Sequence, residues 1–141
     1  MKWTDWDSIH WLADGYNKAR ERTEVIRMAK EVAVGDQWIM EGIYGWIATE
    51  IADRATMLLW LDIGEEECVA NIRQRGPRGG ASEQSFADLL AWADSYCTRD
   101  GSSARIFHQS FFEGFAGAKL RLCSRKEARD LMEMVMRQFS Y

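Results

Sequence analysis

Proline is almost absent from this chain, with Pro77 the one example in 141 residues, and cysteine is sparse at three. Cys68, Cys97 and Cys123 are odd in number, far apart and without a C-x-x-C pair. That excludes a disulfide framework and the usual cysteine metal sites, and leaves reduced thiols as the expectation. Long apolar runs are also missing. The stretch 57–61 is typical, far below the ~20 residues a spanning helix needs. The start, MKWTDWDSIHW, has neither the apolar stretch nor the cleavage pattern of an export signal. A cytoplasmic protein with no membrane partner is expected. There is no basic excess either: Lys and Arg number 18 against 22 Asp and Glu, for a net charge of -4. A general nucleic-acid partner is therefore not expected, although a local anion site remains open.

What is present is enough to fold. Hydrophobic residues make up 47% and charged residues 28%, the balance of a globular chain, and the length suits one domain over residues 1–141 with one core. Tryptophan is abundant at seven, and Trp3, Trp6 and Trp11 crowd the first eleven positions. That much aromatic surface needs cover, so the N-terminal segment is expected to dock on something.

The patterning alternates between helix and strand. Residues 1–17 read as irregular or partly extended, with Asp14-Gly15 as a turn signal. From Lys18 to Val34, apolar positions at Ala19, Val25, Ile26, Ala29, Val32 and Ala33 predict an amphipathic helix stopped by Gly35. A short strand is predicted near 37–42 and one or two helical turns over 46–52. The run MLLWLDI at 57–63 reads as a parallel strand covered on both faces. The acidic start GEEE predicts a helix carrying Cys68, Val69 and Ile72 and ending near Arg75-Gly76-Pro77. The segment 76–81 is a loop, and Ser82 caps a helix through Tyr96. Residues 98–116 are ambiguous. KLRLC at 119–123 alternates as a strand does, and Ser124 with Glu127 forms a capping box for a last helix to Gln138, with Leu131, Met134 and Val135 on its buried side. The fold class expected is α/β, three-layer, with a mostly parallel sheet.

The segments DSIHWLADGYNKAR, GDQWIMEGIYGW, RATMLLWLDI, RQRGPRG and EGFAGAKLRLCSRKEA follow one another in an order and spacing that resembles the adenylate-kinase-related P-loop proteins, in particular the topology-modulation or FlaR-like group. The resemblance covers nearly the whole chain and implies a truncated P-loop nucleotide kinase fold with a lid-like segment near 73–99. One part of that pattern is missing: no G-x-x-x-x-G-K-S/T loop occurs in the sequence. By resemblance the chain begins near the end of the family's second strand, at Trp6-Asp7, and lacks a βα unit of ~30 residues. That loop holds the β- and γ-phosphates and the Mg²⁺ ligand in the family, so no cofactor is expected, and ATP with Mg²⁺ only if a P-loop is supplied. The family's first strand lies between the strands matched by 37–42 and 57–63. Its absence leaves unmet backbone groups, answered by direct pairing of those two strands, by the N-terminal residues, or by a second copy; the expectation is a homodimer.

Several residues are candidates for chemistry. Arg73, Arg75 and Arg78 flank the glycine-rich loop, which the resemblance makes a phosphate-clamping lid. Their forked guanidinium donors suit an anion such as a small phosphorylated ligand, and Arg99 is a further candidate. The alternative is a solvated basic helix end. Asp7, His10 and Arg20 fall where the family's acceptor pocket begins; the alternatives are a packed histidine and a solvent-facing arginine. By resemblance Glu41 matches the acidic position that helps order Mg²⁺ waters in related kinases, the alternative being a strand-end carboxylate bonded to nearby N–H groups; Asp62 has the same strand-end placement, with a helix-capping role as its alternative. His108 has no recognisable context, and Lys119, Arg121, Arg125, Lys126 and Arg129 read as a solvated face. No catalytic residue is assigned, since no Ser-His-Asp or Cys-His arrangement is recognisable. Three functions stand side by side: a degenerate kinase-like domain that binds or self-associates, a fragment of an ATP-dependent nucleotide or small-molecule kinase, and a structural or mobile-gene product without a ligand.

Overall fold

The computed structural model describes residues 1–13 and 18–139; the Asp14-Gly15 turn signal lies outside them. The chain is α/β. Lys2–Asp5 (β1) runs into the short helix Trp6–His10 (α1), followed by Arg22–Ala33 (α2), Trp38–Glu41 (β2) and Gly45–Ile51 (α3), which ends in a 3-10 turn at Ala52–Arg54. Met57–Leu61 (β3), Glu65–Arg75 (α4), Glu83–Asp94 (α5), Arg105–Gly114 (α6), Ala118–Leu122 (β4) and Arg125–Phe139 (α7) complete it. No described helix is long and apolar enough to cross a membrane.

The strands form two parallel pairs, β1 with β2 and β3 with β4, rather than one continuous sheet. β1 is a strand that propensity at the start of the chain did not reveal. It aligns Thr4 with Met40 and Asp5 with Glu41. β3 aligns with β4 from Met57 against Ala118 to Leu61 against Leu122. Direct pairing of the strands at 37–42 and 57–63 does not occur, and the N-terminal strand joins β2 without bridging to β3.

One core lies between α1, α2, α3 and the β1–β2 pair. Val25, Ala29 and Ala33, spaced four apart on α2, meet Trp6 and Ile9 from α1 and Ile47 and Ile51 from α3. Trp38 and Met40, alternate residues of β2, pack on this cluster. The expected docking of the N-terminal tryptophans is thus met within the chain for Trp6, at 7% exposure, while Trp3 stays 64% exposed. The helix predicted from Lys18 starts only at Arg22. Before it, Ala19 bridges Trp11 in an antiparallel contact and the Arg20 amide donates to the His10 carbonyl at 2.7 Å.

Two sequence expectations about caps hold. Ser82 Oγ accepts from the Ser85 amide at 3.1 Å, and Ser124 Oγ accepts from the Glu127 amide at 3.1 Å. The ambiguous segment 98–116 contains α6. The expectation that β3 is covered on both faces fails. Trp60 is buried, but Met57, Leu59 and Leu61 are 52%, 48% and 55% exposed. One face of β3 packs on α6, where Trp60 meets Phe112 at a ring separation of 5.5 Å; the other is open.

α3 ties the two halves together. The Gly45 amide donates to the Ser102 carbonyl at 3.0 Å, and a β-carbon on Gly45 would overlap both that oxygen and the Phe107 ring. Only glycine allows α3 to approach α6 so closely.

Candidate functional site

Three polar groupings lie where chemistry would be expected. The first sits at the carboxyl ends of β1 and β2. Asp5 Oδ1 accepts from the Asp7 amide at 2.8 Å and so caps α1. Asp7 Oδ1 accepts from the Tyr44 hydroxyl at 2.7 Å, and the same hydroxyl oxygen accepts from Trp11 Nε1 at 3.0 Å. The His10 ring lies against Tyr44 at 4.4 Å and Trp11 at 4.5 Å. Arg20 Nε donates to the Ile9 carbonyl at 3.0 Å, holding that side chain on backbone rather than on an acceptor pocket. Asp7, His10 and Arg20 are therefore brought to one end of the chain's first half, and Tyr44 is the partner that sequence reasoning missed.

Electrostatics there favour neutral forms. Burial, and then the nearby Asp5 and Asp7 carboxylates, push the Glu41 carboxyl up. Burial lowers His10 despite the opposing pull of Asp7, and His10 Nδ1 is buried without a hydrogen-bond partner. Burial and the Asp7 contact likewise raise the Tyr44 hydroxyl.

The second grouping surrounds Asp62, at the carboxyl end of β3. Its side chain is 6% exposed. Arg105 donates from Nε and Nη2 to the two carboxylate oxygens at 2.9 and 2.8 Å, and Arg121 adds Nε and Nη2 at 2.9 and 2.5 Å. Both guanidinium groups also stand over the Trp60 ring, at 5.4 and 5.1 Å. Burial alone would raise the Asp62 carboxyl, but the two arginines outweigh it and hold it below the usual range. Asp62 does not cap α4, whose N-cap is Gly64. Nor does it meet Glu41, which belongs to the other strand pair. No group of three or more His, Cys, Asp or Glu among the described residues is placed to hold a metal ion.

Beside it, Tyr96 Oη and His108 Nδ1 are 2.6 Å apart, and His108 Nε2 is 2.9 Å from the Ile43 carbonyl. Trp60 Nε1 donates to Tyr96 Oη at 3.3 Å. With Nε2 protonated toward Ile43, Nδ1 accepts from Tyr96 and every member of the chain is satisfied. Burial lowers His108, more than the backbone bonds raise it.

The third grouping is a cleft of about 310 Å³ lined by Asn71, Ile72, Gln74, Arg75 and Arg125. Arg125 Nη1 donates to Asn71 Oδ1 at 2.6 Å. Neither arginine has a carboxylate partner among the described ion pairs. Arg73 and Arg75 occupy the last turn of α4, which ends at Gly76 with φ of 76°, and Arg78 lies in the exposed loop that follows. Arg99 is held elsewhere: it donates to the Trp92 and Ser103 carbonyls, and its guanidinium lies 3.6 Å over the Trp92 ring. Within the segment 73–99, helix α5 packs against α4.

Burial first, then Glu67 and Glu65, raise the Cys68 thiol; burial and Glu65 raise Cys97. Both stay protonated near neutrality and are poor nucleophiles. No protein-family model matches the chain, and no curated protein or solved structure matches it.

Proposed function

We propose that this chain is a degenerate P-loop-kinase-like domain that does not transfer phosphoryl groups from ATP and works as a self-associating interaction module. The observation that carries the reading is the distribution of charge over the strand edges. Every described strand is paired on one side only. β1 carries Lys2 and Asp5, and β4 carries Lys119 and Arg121, charges that discourage further pairing. β2 holds only Glu41, at its end, and β3, MLLWL, holds no charge at all. Open, uncharged, apolar edges invite another strand. A second copy meets no like-charge repulsion there, and a two-fold arrangement lets the same edge serve both partners.

The absence of catalysis rests on chemistry. Phosphoryl transfer needs positioned donors around the phosphates. This sequence has no G-x-x-x-x-G-K-S/T loop, and Asp62, a strand-end carboxylate suited to metal work, is already neutralised by two arginines.

The test combines sedimentation velocity with calorimetry against ATP and Mg²⁺. The reading expects a dimer at micromolar chain and no Mg²⁺-dependent nucleotide binding. A monomer, or micromolar affinity for Mg-ATP, would overturn it. The Arg75–Arg125 cleft favours one secondary activity: weak binding of a small phosphorylated anion through two unneutralised guanidinium groups. Titration with inorganic phosphate should show heat that Arg75→Ala removes.

A further inference from the structure

Both histidines of the chain brace one short joint. Ile43, Tyr44 and Gly45 lead from β2 into α3. From the first half, the His10 ring lies on the Tyr44 ring at 4.4 Å and also meets Trp11 at 4.5 Å and Trp46 at 6.0 Å. From the second half, His108 Nε2 holds the Ile43 carbonyl at 2.9 Å. One residue further on, the Gly45 amide donates to the Ser102 carbonyl at 3.0 Å.

Each ring is seated for its neutral form. His10 Nδ1 is buried without a hydrogen-bond partner. A bare ring nitrogen tolerates that place, but an N–H there is a stranded donor on a charged ring. At His108, Nδ1 accepts from Tyr96 Oη at 2.6 Å, and that oxygen already takes the Trp60 Nε1 hydrogen at 3.3 Å. A protonated Nδ1 would donate to the same oxygen, and the Tyr96 hydroxyl proton would lose its acceptor. The charges around the rings do not reverse this. Asp7 favours a charged His10, while Arg99 opposes a charged His108. Arg20 is spent on the Ile9 and His10 carbonyls, Arg22 stands over the Trp46 ring at 4.6 Å, and Arg105, one turn before His108, is held on Asp62. Burial outweighs Asp7 at His10 and outweighs the Ile43 and Ser102 carbonyls at His108. Glu41, raised by burial, Asp5 and Asp7, takes up its proton in the closed form and works in the opposite direction.

From this placement we infer that the Ile43–Gly45 joint is an acid-sensitive hinge: protons taken up by His108 and His10 free the start of α3 from α6 and α1 before either half unfolds. The bonds released are His108 to Ile43, Gly45 to Ser102, and those of the Tyr44 hydroxyl to Asp7 and Trp11. Ile47 and Ile51, further along α3, stay in the core with Val25 and Ala29. The sign follows from linkage. A ring that is neutral in the closed joint and protonates freely in the open one favours opening as pH falls. For each such ring, opening rises by up to about 25-fold between pH 7 and pH 5. Histidines placed at an interface act as switches in this way.

Amide hydrogen exchange from pH 7 to pH 5, followed by NMR and corrected for the intrinsic rate, tests the hinge. The Gly45 amide reads the joint and the Ala29 amide reads the core. The hinge predicts that Gly45 protection falls by about five-fold or more over this range, that Ala29 protection falls less, and that the Gly45 loss follows the ring titration of His108 in the same chain. In His10→Phe/His108→Gln, which keeps the aromatic contact and both hydrogen bonds but cannot take up the protons, Gly45 protection should stay level. Equal losses at Gly45 and Ala29 would mean global unfolding and overturn the hinge. So would a Gly45 amide that is unprotected at pH 7, protection unchanged at pH 5, or a loss that persists in the double variant. Should circular dichroism show the double variant unfolded, the unaltered chain decides alone: coincident midpoints for Gly45 and the His108 ring support the hinge, and separate midpoints overturn it.

Discussion

Arg105 grips Asp62 with two parallel hydrogen bonds, at 2.9 and 2.8 Å, across 43 positions of sequence. The bond ties the first turn of α6 to the end of β3. Arg121 on β4 reaches the same carboxylate, so one nearly buried acid fixes three elements. Removing the acid strands two guanidinium groups over Trp60. Because both arginines are partly exposed, at 31% and 46%, solvent screens much of that effect. Asp62→Ala is expected to lower stability by about 1–3 kcal/mol, read from a urea midpoint. Arg121→Ala, the more exposed partner, should do less than Arg105→Ala.

The same contact sets an acid limit. The Asp62 carboxyl titrates below its ordinary 3.8 in the folded chain. A depressed carboxyl contributes stability that is complete above the unfolded value and lost as pH falls through the folded one. The unfolding midpoint should therefore drop below about pH 4. The Asp62→Asn variant should show a shallower drop there, as followed by circular dichroism against pH.

The two histidines act at higher pH, with the sign worked the same way. Both His10 and His108 titrate below 6.5 when folded, chiefly through burial. The unfolded chain then binds more protons, so stability is full above about pH 6.5 and declines as pH falls below it. His108→Gln, which keeps one donor and one acceptor for Ile43 and Tyr96, should flatten part of that decline in melting temperature. An unchanged slope in His108→Gln would argue against titration at this site.

Gly45→Ala tests the junction between the halves. The added carbon overlaps the Ser102 carbonyl and the Phe107 ring. About 1–3 kcal/mol of destabilisation is expected in chemical unfolding, the usual cost of overpacking. Gly64→Ala, where nothing lies within 4 Å, is the control, and the urea midpoints of the two variants should separate clearly.

Leu59→Lys probes the open face of β3. Leu59 is 48% exposed, so the isolated chain should lose no more than about 0.5 kcal/mol. A charge there should nevertheless weaken self-association, visible as a rise in the dissociation constant by sedimentation.

Local signals in the sequence located most elements. Ser82 and Ser124 mark helix starts because capping acts within four residues, and α2 follows from the period of Val25, Ala29 and Ala33. β1 escaped because KWTD has no apolar alternation and becomes a strand only through its pairing with β2. The grip of Arg105 and Arg121 on Asp62 was hidden for the same reason: it depends on parallel register between β3 and β4, which no local pattern encodes. Arg121 and Arg125 read as a solvated face, although one neutralises Asp62 and the other lines the cleft with Arg75. The continuous apolar run at β3 suggested burial on both sides, whereas its odd-numbered residues are about half exposed.

The most direct measurement is the mass of the unaltered chain in solution by light scattering at micromolar concentration. Self-association through the uncharged strand and its open face predicts twice the 16.3 kDa of a single chain. A steady 16.3 kDa across that range would contradict it.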